Sequence, residues 1–97
     1  MRVKRVIWLP EFEEKLLLKH AILAEEVEEV LFDNPQIYFV EKGHRADENM
    51  YAAYGQTEVG RHLTIFFILK PNAQALIISA RDMDEKERKH YGKRKRE

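Results

Sequence analysis

Cysteine is absent from this chain, and glycine and proline are scarce, with four and three residues among 97. Without cysteine the chain has neither disulfides nor thiolate metal sites, which is typical of proteins from reducing compartments. The low glycine and proline content excludes collagen-like and low-complexity chains. Hydrophobic residues make up 44% and charged residues 35%, proportions that predict one folded globular domain rather than disorder.

Long hydrophobic runs are also lacking. The first nine residues are basic and then apolar, and this run stops at Pro10 and Glu11. It is too short for a secretory signal or a membrane span. Its β-branched and aromatic side chains predict a first strand instead. We therefore expect a cytoplasmic protein without a membrane segment.

Neither sign of charge predominates overall, since 17 basic residues balance 17 acidic ones. The two signs are nevertheless separated along the chain. Acidic residues predominate between positions 11 and 33, and basic residues predominate from Lys86 onward. This asymmetry predicts two unlike surfaces, and it leaves open whether the basic one binds a ligand or is only a solvated helix face.

The spacing of apolar residues changes along the chain from the helical period to the strand period. The predicted elements are a strand over 3–9, helices over 11–19 and 23–32, strands over 37–40, 50–57, 61–69 and 75–81, and a helix from an N-cap at Asp82, with Glu85 as its reciprocal partner, to about Gly92. This order, β-α-α-β-β-β-β-α, predicts an α+β fold in which the helices group against one face of a sheet, with an antiparallel meander in its last four strands. The domain is expected to span 1–92, with a basic tail over 93–97.

Alternation along the last strand assigns its side chains to two faces. The set expected to meet the helices is Leu76, Ile78 and Ala80, and the set expected on the uncovered face is Ile77, Ser79 and Arg81. A serine and an arginine beside each other on an uncovered face favour a ligand-binding role for that face.

Metal and phosphate-loop chemistry find no support in the residue spacing. The four histidines lack ligand spacing, and no glycine-rich phosphate loop or nucleophile elbow is present. The carboxylates lie on amphipathic helices, where solubility explains them. We therefore expect neither a metal nor another cofactor.

Cationic and proton-carrying side chains remain, and they are predicted to lie at the edges of the sheet. Arg81 ends the last strand, Arg61 opens the central strand, and His20 lies at the break between the first two helices. Cleavage of RNA without a metal needs a base, an acid and a cation that stabilises the phosphorane. Histidine suits the proton roles and arginine the cationic role.

Further candidates surround these three. They are Ser79 beside Arg81, Tyr91 and Arg88 on one face of the last helix, and the RNA-binding candidates Lys19, Arg45 and Arg88. The sequence leaves structural roles open as well. Arg81 could form a salt bridge with Glu85, and Arg61 could be a charged surface residue of the hairpin. The ring of Tyr91 could be buried, and His20 could cap the C-terminus of the first helix. The other three histidines are interpreted as surface or structural residues.

Several short motifs, taken in order, resemble one protein family. They are the Lys19-His20 pair, Glu26-Val27 with Glu29-Val30, Tyr54-Gly55-Gln56-Thr57 with Gly60-Arg61, and Ile77-Ile78-Ser79-Ala80-Arg81-Asp82-Met83, followed by Glu87-Arg88 and Tyr91. The sequence resembles the BrnT-like ribonuclease toxins of bacterial type II toxin–antitoxin pairs, which share the RelE-like fold. The resemblance runs over nearly the whole chain.

The resemblance implies a metal-independent endoribonuclease that cleaves RNA and arrests translation. It also implies a cognate antitoxin of ribbon-helix-helix type, which covers the toxin and represses the shared operon. The residues that it favours for catalysis are His20, Arg61, Ser79, Arg81 and Tyr91. Two departures from the family, at Asn49-Met50 and at Ala75-Leu76, lower the positive charge expected near the site.

Two other functions are compatible with the sequence. A catalytically weak or inactive chain would act as a module that pairs with its antitoxin through the sheet edge. A chain that binds nucleic acid through its basic tail without cleaving it would show strongly salt-dependent affinity.

Overall fold

The computed structural model describes residues 1–95, which form three helices and a five-stranded sheet. The elements are β1 (Arg5–Ile7), α1 (Pro10–His20), α2 (Ala24–Phe32), β2 (Gln36–Glu41), β3 (Met50–Gln56), β4 (His62–Lys70), a 3-10 turn (Pro71–Ala73), β5 (Gln74–Asp82) and α3 (Glu85–Lys95). The predicted α+β class is confirmed. Within the described residues no helix is both long and apolar enough to span a membrane.

The sheet has the strand order β1-β5-β4-β3-β2. Strands β2 to β5 pair antiparallel with their sequence neighbours, as the predicted meander requires. Strand β1 adds to β5 in parallel at one edge, which leaves β2 as the other edge. The β3–β4 hairpin closes with Gly60 at a φ of 100°, a conformation that glycine adopts without steric penalty.

Helices α1 and α2 cover one face of the sheet and bury its core. Helix α1 ends at His20 because Ala21 takes the left-handed conformation, and its amide caps the helix by donating to carbonyls of the last turn. The core side chains Ile65, Phe67 and Ile77 have no exposed surface. Helix α2 approaches so closely that a Cβ on Gly55 would lie 2.5 Å from Val30 Cγ1, so this position requires glycine.

Helix α3 lies on the opposite face of the sheet, so the expectation that all helices group on one face is wrong. Its Glu87 contacts Thr64 and Arg81, and its His90 contacts Tyr38. Segment 85–95 has no aliphatic stripe to bury in a core. The helix therefore pairs with the polar face of the sheet.

A β-bulge divides β5 and changes which side chains face the core. Phe66 pairs with Ser79 but Phe67 pairs with Ile77, which leaves Ile78 as the extra residue. Ala75, Ile77 and Ala80 consequently all lie in the core, and Leu76 and Ile78 are only half-buried. The predicted faces of Ser79, Ala80 and Arg81 are confirmed, and those of Leu76, Ile77 and Ile78 are wrong because strict alternation does not allow for a bulge.

The last helix begins and ends later than its sequence predicts. Its N-cap is Asp84, whose carboxylate accepts from the Glu87 amide at 2.8 Å while Glu87 accepts from the Asp84 amide at 2.9 Å. The predicted N-cap, Asp82, belongs to β5 instead. The helix continues to Lys95 rather than ending at Gly92, and positions 96 and 97 of the predicted basic tail lie outside the described residues.

We expect Ile77→Ala to lower the free energy of unfolding by about 2–5 kcal/mol, because it leaves a cavity in the core. Ile78→Ala removes the same atoms from a half-buried position, so its effect should be clearly smaller. Urea unfolding of both variants checks this. An Ile78→Ala loss equal to or greater than that of Ile77→Ala would contradict the bulged register.

Candidate functional site

Polar and aromatic side chains form two rows across the face of the sheet that α3 covers. Strand pairing places Gln36, Tyr54, Thr64 and Arg81 side by side, in that order, on β2 to β5. The neighbouring row is Tyr38, Ala52, Phe66 and Ser79. We call these two rows, together with Glu87 and His90 of α3, the α3 face.

Arg81 is held in place by Glu87. The two side chains form a bidentate pair with N–O distances of 2.6 and 2.8 Å, and Thr64 donates to the same carboxylate at 3.1 Å. The guanidinium carbon lies 5.5 Å from the centre of the Phe66 ring. Among the described residues, Arg81 Nε–H and one Nη2–H have no partner, so the guanidinium retains two donors for a ligand.

His90 lies over the tyrosines of the α3 face. Its Nε2 is 2.9 Å from the Tyr38 hydroxyl, which donates to Gln36 at 3.0 Å. The Tyr54 ring lies 5.1 Å from the Tyr38 ring and 6.2 Å from the imidazole. A hydroxyl and an imidazole in hydrogen-bond contact at an exposed position are able to carry a proton to or from a ligand.

The charges of the α3 face shift three pKa values. Burial acts to raise the pKa of Glu87, but hydrogen bonds from Arg81, the Asp84 amide and Thr64 outweigh it, so the pKa lies below its usual range. The hydrogen bond to Glu87 raises the pKa of Arg81. Burial, followed by the charge of Glu87, raises the pKa of Tyr54, which keeps that hydroxyl protonated as a donor.

Arg61 lies in a separate cluster at the junction of α1, α2 and β5. Its guanidinium donates to Asp82 at 2.8 and 3.2 Å, to Glu26 at 3.2 Å, and to the backbone carbonyls of His20 and Ala21. These contacts use all five of its N–H groups. The hydrogen bond to Asp82 is the main cause that raises the pKa of Arg61 and lowers that of Asp82.

The sequence candidates are thus divided between two clusters rather than gathered in one. Asp82 follows Arg81 along β5, so their side chains leave the strand on opposite faces. Arg81 pairs with Glu87 on one face, and Asp82 pairs with Arg61 on the other. His20 is exposed and close enough to Asp82 for its charge to help lower the pKa of that carboxyl. His20 and Arg61 therefore lie together, and Arg81 lies apart from them with Glu87.

The remaining candidates lie around these clusters. Tyr91 places its ring 5.8 Å from that of His62, and its carbonyl accepts from Gln36 at 3.1 Å. Ser79 is half-buried in the second row of the α3 face. Lys19, Arg45 and Arg88 are all exposed, and the α3 side chain that pairs with Arg81 is Glu87.

Sequence reasoning missed His90, Glu87 and the two tyrosines of the α3 face. The sequence contains part of the information needed to find them, since the spacing of Glu87, His90 and Tyr91 places these residues on one face of a helix. The strand register that aligns them with Tyr38 and Tyr54 is a tertiary property. No group of three or more His, Asp or Glu side chains among residues 1–95 is arranged to hold a metal ion.

We expect Glu87→Gln to lower the free energy of unfolding by about 1 kcal/mol near neutral pH, because it weakens two charge-assisted hydrogen bonds. The folded-state pKa of Glu87 is lowered, so this stabilisation is complete above its ordinary pKa of 4.5 and declines as the pH falls through the folded value. The difference from wild type should therefore shrink in acid.

Urea unfolding across this pH range measures the effect. Glu85→Gln is the matched control, since Glu85 lies on the same helix with a side chain 87% exposed. The control should change little at any pH. A Glu87→Gln difference that stayed constant into acid would show that the ionised carboxylate does not stabilise the fold.

Comparison with known proteins agrees with this fold. A family model, described as the ribonuclease toxin, BrnT, of type II toxin–antitoxin system, matches residues 8–87. The crystal structure of the Brucella abortus ribonuclease toxin, BrnT, is similar with a TM-score of 0.62 and 16% sequence identity, over 86% of this chain and 100% of that chain. At that identity the structural likeness shows a shared fold alone.

A comparison with curated protein sequences gives no match. The family model, however, extends from the end of β1 through Glu87, which pairs with Arg81. It therefore covers the Arg61 cluster, the Arg81–Glu87 pair and most of the core, and it ends before His90. The chain belongs to the BrnT family of ribonuclease toxins of type II toxin–antitoxin systems.

Proposed function

We propose that this chain is a metal-independent endoribonuclease with a RelE-like fold that cleaves RNA on its α3 face. We further propose that it acts in the cytoplasm, arrests translation, and is held inactive by an antitoxin of ribbon-helix-helix type. The observation that carries the proposal is Arg81, which Glu87 orients so that two guanidinium donors remain for a ligand on the face that also holds the Tyr38–His90 pair. Family membership supplies the reaction class.

The proposed reaction needs three groups around one phosphodiester. A base takes the proton from the 2′-hydroxyl, the 2′-oxygen bonds to phosphorus, and the bond to the 5′-oxygen breaks as an acid protonates that oxygen. The products are a 2′,3′-cyclic phosphate and a 5′-hydroxyl. Arg81 suits the stabilisation of the charge on the phosphorane oxygens, because arginine binds phosphate bidentately and stays protonated.

The aromatic side chains of the α3 face have complementary roles in the proposal. His90, with Tyr38, transfers a proton at one end of the phosphodiester. Tyr54 keeps its proton and donates to a phosphate oxygen. The Phe66 ring, beside Arg81, offers a surface on which an unpaired base stacks.

The remaining sequence candidates take supporting positions in the proposal. Arg61 acts as a positioning residue, because every N–H of its guanidinium is already bound to protein. Ser79 belongs to the second row of the α3 face, Tyr91 follows His90 on α3, and His20 is a second candidate for proton transfer. The exposed cations Lys19, Arg45 and Arg88 would contact the RNA backbone, which makes affinity depend on salt.

We expect Arg81→Ala to slow cleavage of total RNA by about 10²–10³-fold, because it removes the cation that stabilises the phosphorane. Arg2→Ala, which removes an exposed cation near the N-terminus, is the matched control and should cleave like wild type. Cleavage by wild type should also persist in excess EDTA. If purified wild type leaves RNA intact, or if EDTA abolishes cleavage, the proposal fails.

A second prediction concerns the group that transfers the proton. His90→Gln should lower kcat by about a hundredfold or more, while His44→Gln, in the exposed loop before β3, should have no effect. Single-turnover cleavage of one synthetic oligonucleotide compares the variants with His20→Gln. If His20→Gln causes the loss and His90→Gln does not, proton transfer occurs at the Arg61 cluster and not on the α3 face.

A non-catalytic binding module is the second candidate function. It is favoured by the pairing of both central arginines with carboxylates, which reduces the positive charge available to RNA. Growth arrest on expression of the chain alone separates the two candidates. A module that only binds its antitoxin should be tolerated by the cell, and an active ribonuclease should not.

A further inference from the structure

An apolar groove lies on the outer side of α1 and α2, on the face of the molecule opposite to α3. It has a volume of about 350 Å³ and is lined by Pro10, Leu17, Ile22, Leu23, Ala24 and three glutamates. Leu17 and Leu23 are half exposed, and Leu18, which follows Leu17 on α1, is 74% exposed. Aliphatic side chains exposed together around a concave surface are typical of a protein-binding site.

The rim of this groove is acidic. Glu13 and Glu14 lie on the α1 side and Glu25 lies on the α2 side. The ion pairs formed within residues 1–95 use other carboxylates, those of Glu26, Asp82, Glu85 and Glu87. The groove therefore combines an apolar floor with negative charge that the described part of the chain does not neutralise.

We propose that this groove binds a basic amphipathic helix of a partner protein. Aliphatic side chains spaced at i, i+3 and i+4 would fill the floor between Leu17 and Leu23, as in other helix-in-groove complexes. Lysines or arginines beside them would meet Glu13, Glu14 and Glu25. Complementary charge at the rim speeds association and excludes acidic partners.

Other occupants fit the groove less well. RNA would place its phosphates against the three rim carboxylates, so the groove disfavours it. The basic helix of a second copy, α3, has the complementary charge, but residues 85–95 contain no aliphatic side chain to fill the floor. A separate partner chain that supplies both features is therefore the occupant that the groove favours.

The groove adjoins the Arg61 cluster rather than the α3 face. Its floor includes Ile22 and Leu23, directly after Ala21, whose carbonyl accepts from Arg61 at 2.8 Å. Glu25 of the rim precedes Glu26, which also binds Arg61. A bound helix would thus lie beside His20 and leave Arg81 accessible, so binding here does not depend on the proposed cleavage reaction.

Fluorescence anisotropy with two labelled helix-forming peptides tests the proposal. One peptide carries leucines at i, i+3, i+4 and i+7 with lysines beside them, and the other has glutamate in place of each lysine. We expect the lysine peptide to bind wild type saturably and the glutamate peptide to bind at least about tenfold more weakly. Glu13→Lys/Glu14→Lys/Glu25→Lys should reverse this preference, and Leu17→Asp, in the floor of the groove, should weaken binding of the lysine peptide by about tenfold.

Val59→Asp is the matched control, since Val59 is 91% exposed in the β3–β4 hairpin, far along the chain from the groove, and should bind like wild type. All altered side chains are exposed, and circular dichroism verifies folding. Equal binding of both peptides, an unchanged preference in the triple variant, or absence of saturable binding would overturn the proposal. So would a wild-type dimer that Leu17→Asp dissociates, because the occupant would then be a second copy.

Peptide binding is measured independently of RNA cleavage. We expect Leu17→Asp to cleave RNA at the wild-type rate if the chain is a ribonuclease. Loss of peptide binding with intact cleavage, or the reverse, therefore shows which of the two proposals fails.

Discussion

The Arg61 guanidinium joins three elements that are distant in sequence, namely α1, α2 and β5. It binds the carbonyls that end α1, a carboxylate in the first turn of α2, and the carboxylate that ends β5. Glu26 also accepts from the Leu23 amide at the start of α2, so Arg61 adds a cation to an existing cap. The side chains of Arg61 and Glu26 are 25% and 20% exposed, so solvent screens this pair only in part, whereas Asp82 is 62% exposed. Arg61 therefore links α1 and α2 to the end of β5.

The sheet separates two chemically different faces, and each fits a different kind of partner. On the α1–α2 side, aliphatic side chains fill the core and a few remain exposed in an acidic groove. On the α3 side, rows of tyrosine, glutamine, threonine and arginine leave room for a polar helix. The bulge at Ile78 makes this possible, because it keeps Ile77 in the core while Ser79 and Arg81 point to the polar face.

Much of the site chemistry was predictable from sequence, and the pairing of its members was not. The pattern of β5 correctly assigned Ser79 and Arg81 to the face away from α1 and α2, since alternation still holds on the later side of the bulge. The sequence left open a pair between Arg81 and Glu85, and the partner is Glu87, because the helix begins two residues later than its first acidic cap suggests. His90 was interpreted as a surface residue, since nothing local to it indicates that Tyr38 lies above it in the fold.

By itself, the sequence determined the class of fold, the meander, the absence of cysteine chemistry and the membership of a toxin family, because hydrophobic period, composition and ordered motifs are local properties. Only the tertiary structure decided that Arg61 and Arg81 belong to different clusters, that α3 covers the second face, and that Tyr38, Tyr54 and His90 meet. These outcomes depend on strand register, on one bulge and on competition among several carboxylates for two arginines. Such competition is settled by distances between residues far apart in the chain.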